Sequence, residues 1–435
     1  MTLDSPLPAG YRFRRLTADD DRAVIDLDSW AFPVPVEPDE IAKMPSPLSW
    51  DRAVGVEADG GSPGGSPLVA MHASYPFTHF PVPGGTLPTA GLTWVGVHPQ
   101  HRRRGLASAM LDLHLARCRE RGEPLSALYA AEYAIYGRFG YGRAADDVRV
   151  TLPRGAALRD VPGASEHTVR IEHADREHHG DLVAAVHRAA GRDAAGLGVN
   201  RPGWASPETP ELQAHRWHDA AAFRQGFETR RIVVVERAGE PRGYALLRRK
   251  LDWDVTGPRG TVNVGEAVAL DAAAARALWG VLVDLDLMSE TRPFVLAPDD
   301  PLLGLLVDRR SADLRVADNV WVRLVDVPTA LAGRQYAADV DVTLAVTDTR
   351  LGENDGVWRL RASAFGEATC DRSDVAAADA DLALDVRALG AAYLGGTSLS
   401  ELGGAGMVTE RAPGALARAS TAFGWPVAPV CSWVF

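Results

Sequence analysis

The stretch that decides the fold is VGVHPQHRRRGLA, residues 95–107. Its pattern predicts the end of a strand, a loop that turns at Gly105, and the start of an amphipathic helix. The first N–H groups of a helix have no partner within the helix, and its dipole favours an anion there. Gly105 lets a ligand approach the backbone closely, and the arginines at 102–104 add positive charge. The stretch predicts a pyrophosphate cradle, with a solvated basic helix start as the alternative.

The surrounding sequence alternates strand and helix patterns. A strand is predicted at 87–97, a helix follows the cradle, and the buried strand LSALYA occupies 125–130. The segment AIYGRFGYGRA at 134–144 predicts a short helix and a turn. The cradle matches neither a Walker A loop nor the dinucleotide pattern GxGxxG, so nucleotide-binding folds of those two kinds are not indicated.

A second segment repeats this order. EAVALDAAAARALWGVLVDL has the same rhythm of strand, turn and helix as VGVHPQHRRRGLASAMLDL, which indicates an internal duplication. The second copy carries AAARAL where the first has RRRGLA, so it has lost the arginine run and the glycine. We predict a long helix over 271–290, with Asp271 as its N-cap.

The domain organisation follows from length and composition. A chain of 435 residues suggests about three domains. Residues 152–168 have the composition of a linker, and the pattern changes again after about residue 315. We therefore predict an α+β protein with mixed strands and helices, divided into domains at 1–152, 153–315 and 316–435.

Composition excludes several classes of protein. The chain is 46% hydrophobic and 24% charged, so it is not globally disordered, and no apolar run is long enough for a membrane helix. A net charge of -11 disfavours nucleic-acid binding. The N-terminus lacks the pattern of a signal peptide, and the three cysteines form no disulfide framework, so we expect a cytoplasmic protein. No histidine spacing indicates a metal site.

The motif Arg102-x-x-Gly105-x-Ala107 resembles the Q/R-x-x-G-x-G/A signature of the GNAT N-acetyltransferases. With IYGRFGYG at 135–142, the degenerate second copy and DADLALDVRALGAAYLGGTSLSELGG at 379–404, nearly the whole chain is similar to the Eis (enhanced intracellular survival) acetyltransferases. The resemblance implies two GNAT domains followed by a sterol-carrier-protein-like domain, and assembly of the chains as hexamers.

The resemblance also implies acetyl-CoA as co-substrate and no metal. In the family, the loop and helix start hold the pyrophosphate, and the preceding bulged strand pairs with the pantetheine arm. The implied contacts in this chain are Val95, Gly96, Val97, Arg102, Arg103, Arg104, Gly105, Leu106, Ala107, Ser108, Ala131 and Glu132.

Acetyl transfer to an amine requires a proton donor near the departing thiolate and a proton acceptor near the amine. A tyrosine hydroxyl, with an ordinary pKa near 10, stays protonated at neutral pH and is a suitable donor. The resemblance assigns this role to Tyr136. From spacing alone Tyr141 serves equally, and the alternative for Tyr136 is an aromatic residue of the core.

The candidate base is the α-carboxylate of Phe435, which the resemblance places in the active site of the first domain. The final SWVF is too apolar to remain in water, although a merely docked tail is the alternative. The backbone N–H of Val95 is the candidate oxyanion donor. Trp30, Phe32 and Trp50 are candidates to line an amine pocket.

The resemblance is weakest in the residues expected to bind the acceptor amine. Family members that acetylate aminoglycosides have acidic residues in the loop after the first helix and near the C-terminus, whereas CSWVF has none and the loop FPVPV reaches its first acid at Glu37. Asp28, Asp39 and Glu132 are further candidates for meeting ammonium groups. The sequence thus predicts acetylation of a small polyamine or aminoglycoside-like molecule, with protein lysines or N-termini, or a lipid-binding module with vestigial GNAT domains, as alternatives.

Overall fold

The computed structural model describes residues 7–60 and 67–435. The first residues of the chain, which bear on the signal-peptide expectation, therefore lie partly outside the described part. Up to residue 153 the elements are strands β1 Tyr11–Arg15, β2 Val54–Ala58, β3 Leu68–Val82, β4 Gly85–Val97, β5 Leu125–Tyr129, β6 Gly142–Arg143, β7 Asp146–Arg149 and β8 Leu152–Pro153, and helices α1 Asp21–Ala31, α2 Pro38–Ile41, α3 Leu106–Glu120 and α4 Tyr133–Tyr136.

The two later segments of the chain also contain both strands and helices. The second holds β9 Thr168–His173, β10 Arg231–Arg237, β11 Glu240–Lys250, β12 Trp253–Asp254, β13 Gly257–Pro258, β14 Gly260–Ala269, β15 Met288–Pro293 and β16 Arg315–Asp318, with α5 Arg176–Arg192, α6 Pro210–Trp217, α7 Ala272–Leu282 and α8 Pro301–Leu305. The third holds β17 Val320–Leu324, β18 Val340–Thr347, β19 Gly356–Ala362, β20 Ala368–Arg372, β21 Leu382–Asp385 and β22 Val408–Glu410, with α9 Val327–Ala332, α10 Val386–Ala392, α11 Leu399–Gly404 and α12 Ala415–Phe423.

Three large sheets organise these elements. Their strand orders are β1-β2-β3-β4-β5-β17-β6, β8-β15-β14-β11-β10-β9 and β20-β19-β18-β21-β22. Strand β17 belongs by residue number to the predicted third domain, but it lies antiparallel between β5 and β6 in the first sheet. Strand β16 likewise pairs with β7. The chain thus returns to the first domain before it forms the third.

The helix predicted over 271–290 is wrong in its second half. Helix α7 ends at Leu282, Leu287 has a positive φ of 65°, and residues 288–293 form β15. The left-handed backbone of Leu287 cannot continue an α-helix. Strand β15 pairs in parallel with β14, a long-range interaction that overrides the helical pattern of the local sequence.

The first and third domains share one hydrophobic core. It joins Phe77 and Phe80 on β3 and Val322 on β17 with Leu389 on α10 and Phe423 on α12. All five side chains are almost completely buried. The third domain therefore packs firmly against the sheet that carries the candidate site. Within the described residues, no helix is long and apolar enough to span a membrane.

Candidate active site

The central feature of the first sheet is the separation of β4 from β5. The two strands pair in parallel only at three positions, ending at Gly91 with Ala127, whereas β4 continues to Val97. On its other side β4 has one extra residue between its pairs with β3, and Trp94 there has a positive φ of 53°. This bulge leaves Val95 without a paired residue on either β3 or β5.

The helix start predicted as a pyrophosphate cradle lies at this opening. Gly105 is the N-cap of α3, has a positive φ of 82° and provides no side-chain cap. A Cβ at Gly105 would meet only Pro8, at 3.9 Å, so the space before the helix is open. Arg102, Arg103 and Arg104 are exposed around it. These features suit an anion that binds the free N–H groups of the helix.

The other predicted cofactor contacts surround the same opening. Gly96 is buried, and a Cβ there would come within 3.1 Å of the Cβ of Ala31, so only glycine lets α1 pack this closely against β4. Leu106 is buried beneath the helix start, while Ala107 and Ser108 are half-buried. Ala131 and Glu132 are exposed between β5 and α4, and Val97 is half-buried on β4.

The second copy has a different helix start. Asp271 is the N-cap of α7, its carboxylate accepts a hydrogen bond of 2.8 Å from the N–H of Ala274, and it pairs with Arg242. A carboxylate there occupies the donors and repels phosphate. The cleft between β14 and α7 has a volume of about 150 Å³, and the tail residues Val430 and Ser432 line it. The second cleft is therefore unsuited to a pyrophosphate.

Tyr136 ends α4, directly after the separated end of β5. It is 8% exposed and packs in one cluster with Leu106 of α3 and Leu128 of β5. Burial, and to a smaller extent the charge of Glu132, raises the pKa of Tyr136 to about 12. The alternative donor, Tyr141, is completely buried and shares a hydrogen bond of 2.8 Å with the hydroxyl of Ser126, so it is a core residue.

The C-terminal tail docks against β5. The Tyr129 hydroxyl, at the end of β5, donates a hydrogen bond of 2.9 Å to the carbonyl of the buried Cys431. The ring of Phe435 contacts Tyr129, at 5.4 Å between ring centres, and Phe77, at 4.9 Å. The tail is thus anchored on one strand of the separated pair, and the terminal residue lies beside it.

A cavity of about 410 Å³ lies on the other side of the bulge, between the first two domains. Trp94 of the bulge lines it, together with Asp21 and Asp28 of α1 and residues of the 34–47 segment. Burial raises the pKa of Asp28 to about 6. The opposite wall comes from the second domain and contains Arg216, Arg230 and Arg248. The cavity thus reaches the bulged strand at Trp94, whereas Tyr136 and Phe435 do not line it.

The aromatic residues predicted for an amine pocket lie elsewhere. Trp30 is 59% exposed and contacts His98, Phe32 is 37% exposed, and Trp50 packs against the apolar cluster between α1 and β3. None of the three lines the 410 Å³ cavity in the described structure.

Of the four acidic residues predicted to meet ammonium groups, only one lines this cavity. Asp28 lines the cavity, whereas Glu37, Asp39 and Glu132 are exposed outside it. Sequence reasoning missed the three arginines of the opposite wall, because they come from α6, the residue before β10, and β11, and share no local pattern. Within the described parts of the chain, no group of three or more acidic, histidine or cysteine side chains is arranged to hold a metal ion.

The comparisons with known proteins agree with this geometry. Family models described as acetyltransferase (GNAT) domains match residues 12–144 and 210–324, and a model described as a sterol carrier protein domain matches residues 327–432. The chain is 34% identical to the N-acetyltransferase Eis of Mycobacterium tuberculosis over 94% of its own length and 95% of that protein. The chain belongs to the Eis-like GNAT N-acetyltransferases.

Other Eis-like and GNAT relatives match along most of the chain. An uncharacterized N-acetyltransferase of Streptomyces avermitilis is 40% identical over 87% of this chain and 88% of that protein. The crystal structure of Eis1 from Mycobacterium abscessus superposes with a TM-score of 0.78 at 28% identity, over 98% of this chain and all of that one. The predicted fold class, two GNAT domains followed by a sterol-carrier-like domain, is confirmed. The protein is an acyltransferase, and its GNAT fold implies acetyl-CoA as the acetyl donor.

Replacing Gly105 by alanine tests the cradle of this Eis-like enzyme. We expect the KM for acetyl-CoA to rise about tenfold with little change in kcat, because a methyl group would stand where the phosphates meet the helix N–H groups. The matched control is Gly122→Ala at the other end of α3, where φ is 68° and no atom lies within 4 Å of the new Cβ. Both variants lose about 1–2 kcal/mol of stability through backbone strain. Equal KM values for the two variants would contradict the assignment.

Proposed function

We propose that this chain transfers the acetyl group of acetyl-CoA directly to an amine of a small molecule in the cleft of its first domain. The observation that carries the proposal is the convergence of four features at the separated ends of β4 and β5. These are the bulge at Trp94, the open helix start at Gly105, the buried Tyr136 and the docked Phe435.

Tyr136 is proposed as the general acid. The donor supplies a thioester whose sulfur takes up negative charge as its bond to the acetyl carbon breaks. A hydroxyl with a pKa of about 12 is fully protonated at neutral pH and can give its proton to that sulfur. The backbone N–H of Val95, freed by the bulge, is proposed to stabilise the oxyanion that develops on the acetyl carbonyl.

The α-carboxylate of Phe435 is proposed as the general base. A terminal carboxylate is ionised at neutral pH and can take the proton that the amine loses on attack. The contacts of Phe435 with Tyr129 and Phe77, and the hydrogen bond from Tyr129 to Cys431, support a fixed position for the end of the tail. A docked terminus loses the mobility that makes most chain ends unsuitable for catalysis.

The 410 Å³ cavity is proposed to receive the acceptor, and this acceptor cavity favours a small molecule over a protein substrate. It is bounded by two domains, and a peptide bearing a lysine would need an extended groove instead. The resemblance implies a polyamine or an aminoglycoside-like acceptor, so both classes belong in the first panel of substrates. A role limited to lipid binding is less favoured, because the first copy retains its open helix start while Asp271 closes the second.

The proposal is tested by following thiol release from acetyl-CoA with purified protein and a panel of polyamines, aminoglycosides, amino acids, amino sugars and lysine peptides. We expect release that depends on one class of small amine, with the acetylated product found by mass spectrometry. Release with lysine peptides alone would favour the protein-acetylating alternative. The absence of amine-dependent release with every member would contradict the proposal.

Asp28 gives the acceptor affinity a pH dependence. Its pKa is raised to about 6, so its charge is present above that pH and is lost as the pH falls through it. Because an amine approaches as an ammonium ion, we expect the acceptor KM to rise about tenfold between pH 7 and pH 5. Asp28→Asn should raise the KM at pH 7 and abolish this dependence.

The matched control is Asp26→Asn on the same helix, since Asp26 pairs with Arg22 on the exposed surface and does not line the cavity. Its KM should follow that of the wild type at each pH. An acceptor KM that is the same at pH 5 and pH 7 in the wild type would show that Asp28 does not contact the acceptor.

By resemblance to the family, we also propose that the chains assemble as hexamers in the cytoplasm. Light scattering on the purified protein would give six times the mass of one chain.

A further inference from the structure

Three arginines, Arg216, Arg230 and Arg248, line the second-domain wall of the acceptor cavity. We call them the arginine cluster. All three line the 410 Å³ cavity that reaches Trp94 at the bulge. All three also line a cavity of about 290 Å³ that borders Trp433 and Val434 of the tail. The arginine cluster therefore lies between the bulged strand and the C-terminal tail, beside the path of an acceptor.

The carboxylates near the arginine cluster do not balance its charge. Arg216 forms a buried ion pair with Glu266, and Arg248 donates a hydrogen bond of 2.7 Å to Asp219, which also pairs with Arg224. Arg230 instead donates to two backbone carbonyls, those of Arg216 at 2.7 Å and His218 at 3.5 Å. On the second-domain wall, four guanidinium groups thus share the two carboxylates of Glu266 and Asp219.

Arg230 therefore has an incompletely compensated charge. Backbone carbonyls carry no charge, and the half-buried guanidinium of Arg230 has no carboxylate within ion-pair distance among the described residues, which is unfavourable unless a further group neutralises it. Burial, together with the charge of Arg248, lowers the pKa of Arg230 to about 10. An anion bound in the cavity would remove this penalty.

Arg248 supplies a second, independent sign of a missing partner. Its Nε is buried and has no hydrogen-bond partner among the described residues. An enclosed Nε is out of the reach of a ligand, but the side chain lines the cavity, and its hydrogen bond from Nη2 to Asp219 leaves other guanidinium N–H groups without an acceptor among the described residues. The planar donor set of arginine suits the oxygen atoms of a carboxylate or a phosphate.

The opposite wall has the opposite charge. Asp21 and Asp28 line it from α1, and His215 and His218 are the other titratable residues that line the cavity beside the arginine cluster. A molecule that fits both walls carries a positive and a negative group. The only charged groups of polyamines and aminoglycosides are ammonium groups, which the arginine cluster would repel.

We propose that the acceptor is an amine that also carries a carboxylate or a phosphate, and that this anionic group binds Arg230 and Arg248 while the amine faces the bulged strand and Asp28. This inference rests on the proposed function and narrows its substrate class. The arginine cluster then acts in specificity, because it selects the acceptor without contacting the reacting bond.

The test compares acceptors that differ only in the anionic group. Lysine is compared with cadaverine, and glucosamine 6-phosphate with glucosamine, by thiol release from acetyl-CoA. We expect kcat/KM to be higher about tenfold or more for the anionic member of at least one pair, and the pair that responds identifies carboxylate or phosphate. Equal use of both members in both pairs overturns the inference while leaving the proposed function intact.

Variants of Arg230 test whether the arginine cluster causes the preference for the anionic acceptor. Arg230→Gln should bring the ratio of kcat/KM values within the responding pair close to one, and Arg230→Lys should restore part of it. Arg231→Gln is the matched control, since Arg231 pairs with Glu228 and lines neither cavity, and it should keep the full ratio. A ratio that Arg230→Gln leaves unchanged overturns the inference.

Direct binding separates this inference from the proposed function. Calorimetric titration of the wild type with lysine and with glucosamine 6-phosphate requires no turnover. If no amine releases thiol, binding of one probe that Arg230→Gln weakens about tenfold still supports the anion site, and the proposed function alone fails. If neither probe binds and no amine releases thiol, both fail.

Discussion

Tyr136→Phe is expected to lower kcat for acetyl transfer by about 10²–10⁴-fold, the usual contribution of a general acid. Phenylalanine keeps the ring that packs with Leu106 and Leu128 and removes only the hydroxyl. The affinity for acetyl-CoA, measured by calorimetry, should stay within about twofold, because the cradle at Gly105 is a separate element. Steady-state thiol release gives kcat.

The matched control is Tyr141→Phe, five residues further on. It removes the hydrogen bond to Ser126 in the core, so we expect a loss of about 1 kcal/mol of unfolding free energy and an unchanged kcat. If the two variants have the same kcat, or if kcat falls only in Tyr141→Phe, the assignment of Tyr136 as the proton donor is wrong.

Converting the α-carboxylate of Phe435 to an amide, by ligation of a synthetic C-terminal peptide, is expected to lower kcat at least about 10²-fold. The amide has the shape of the carboxylate but cannot accept the proton of the amine. Deleting Phe435 should have a similar effect, since it moves the carboxylate by about 3.5 Å along the tail. Acetyl-CoA should bind all these forms equally.

Phe435→Leu separates charge from packing. It keeps a terminal carboxylate and loses the ring contacts with Tyr129 and Phe77, so kcat should fall much less than in the amide. The same ligation with the natural peptide controls for the procedure. An amidated protein with the kcat of the wild type would exclude the terminal carboxylate as the base.

The part of the site that could be predicted from the sequence is local. The cradle depends on residues 95–107, where the end of a strand, a glycine and a helix follow one another, and all its determinants are neighbours in the chain. Asp271, at the corresponding place of the second copy, was likewise recognised as a helix cap. The choice of Tyr136 over Tyr141 needed the family resemblance, because Ser126 on a distant strand makes Tyr141 a core residue.

Features that depend on distant pairing could not be predicted. Residues 288–290 are predicted as the end of a helix, yet they begin strand β15 because β14 provides a parallel partner. Strand β17 joins the first sheet because it pairs with both β5 and β6, which are far from it in the sequence. The arginine cluster comes from three elements that have no common pattern and meet only when the second domain folds against α1.

We propose that a single cleft, in the first domain, binds acetyl-CoA and performs the transfer. Titration calorimetry with acetyl-CoA tests it most directly, because the result does not depend on the identity of the acceptor. We expect one acetyl-CoA bound per chain, with affinity reduced about tenfold in Gly105→Ala and unchanged in Gly122→Ala. Binding of two molecules per chain, or affinity that Gly105→Ala leaves unchanged, would contradict it.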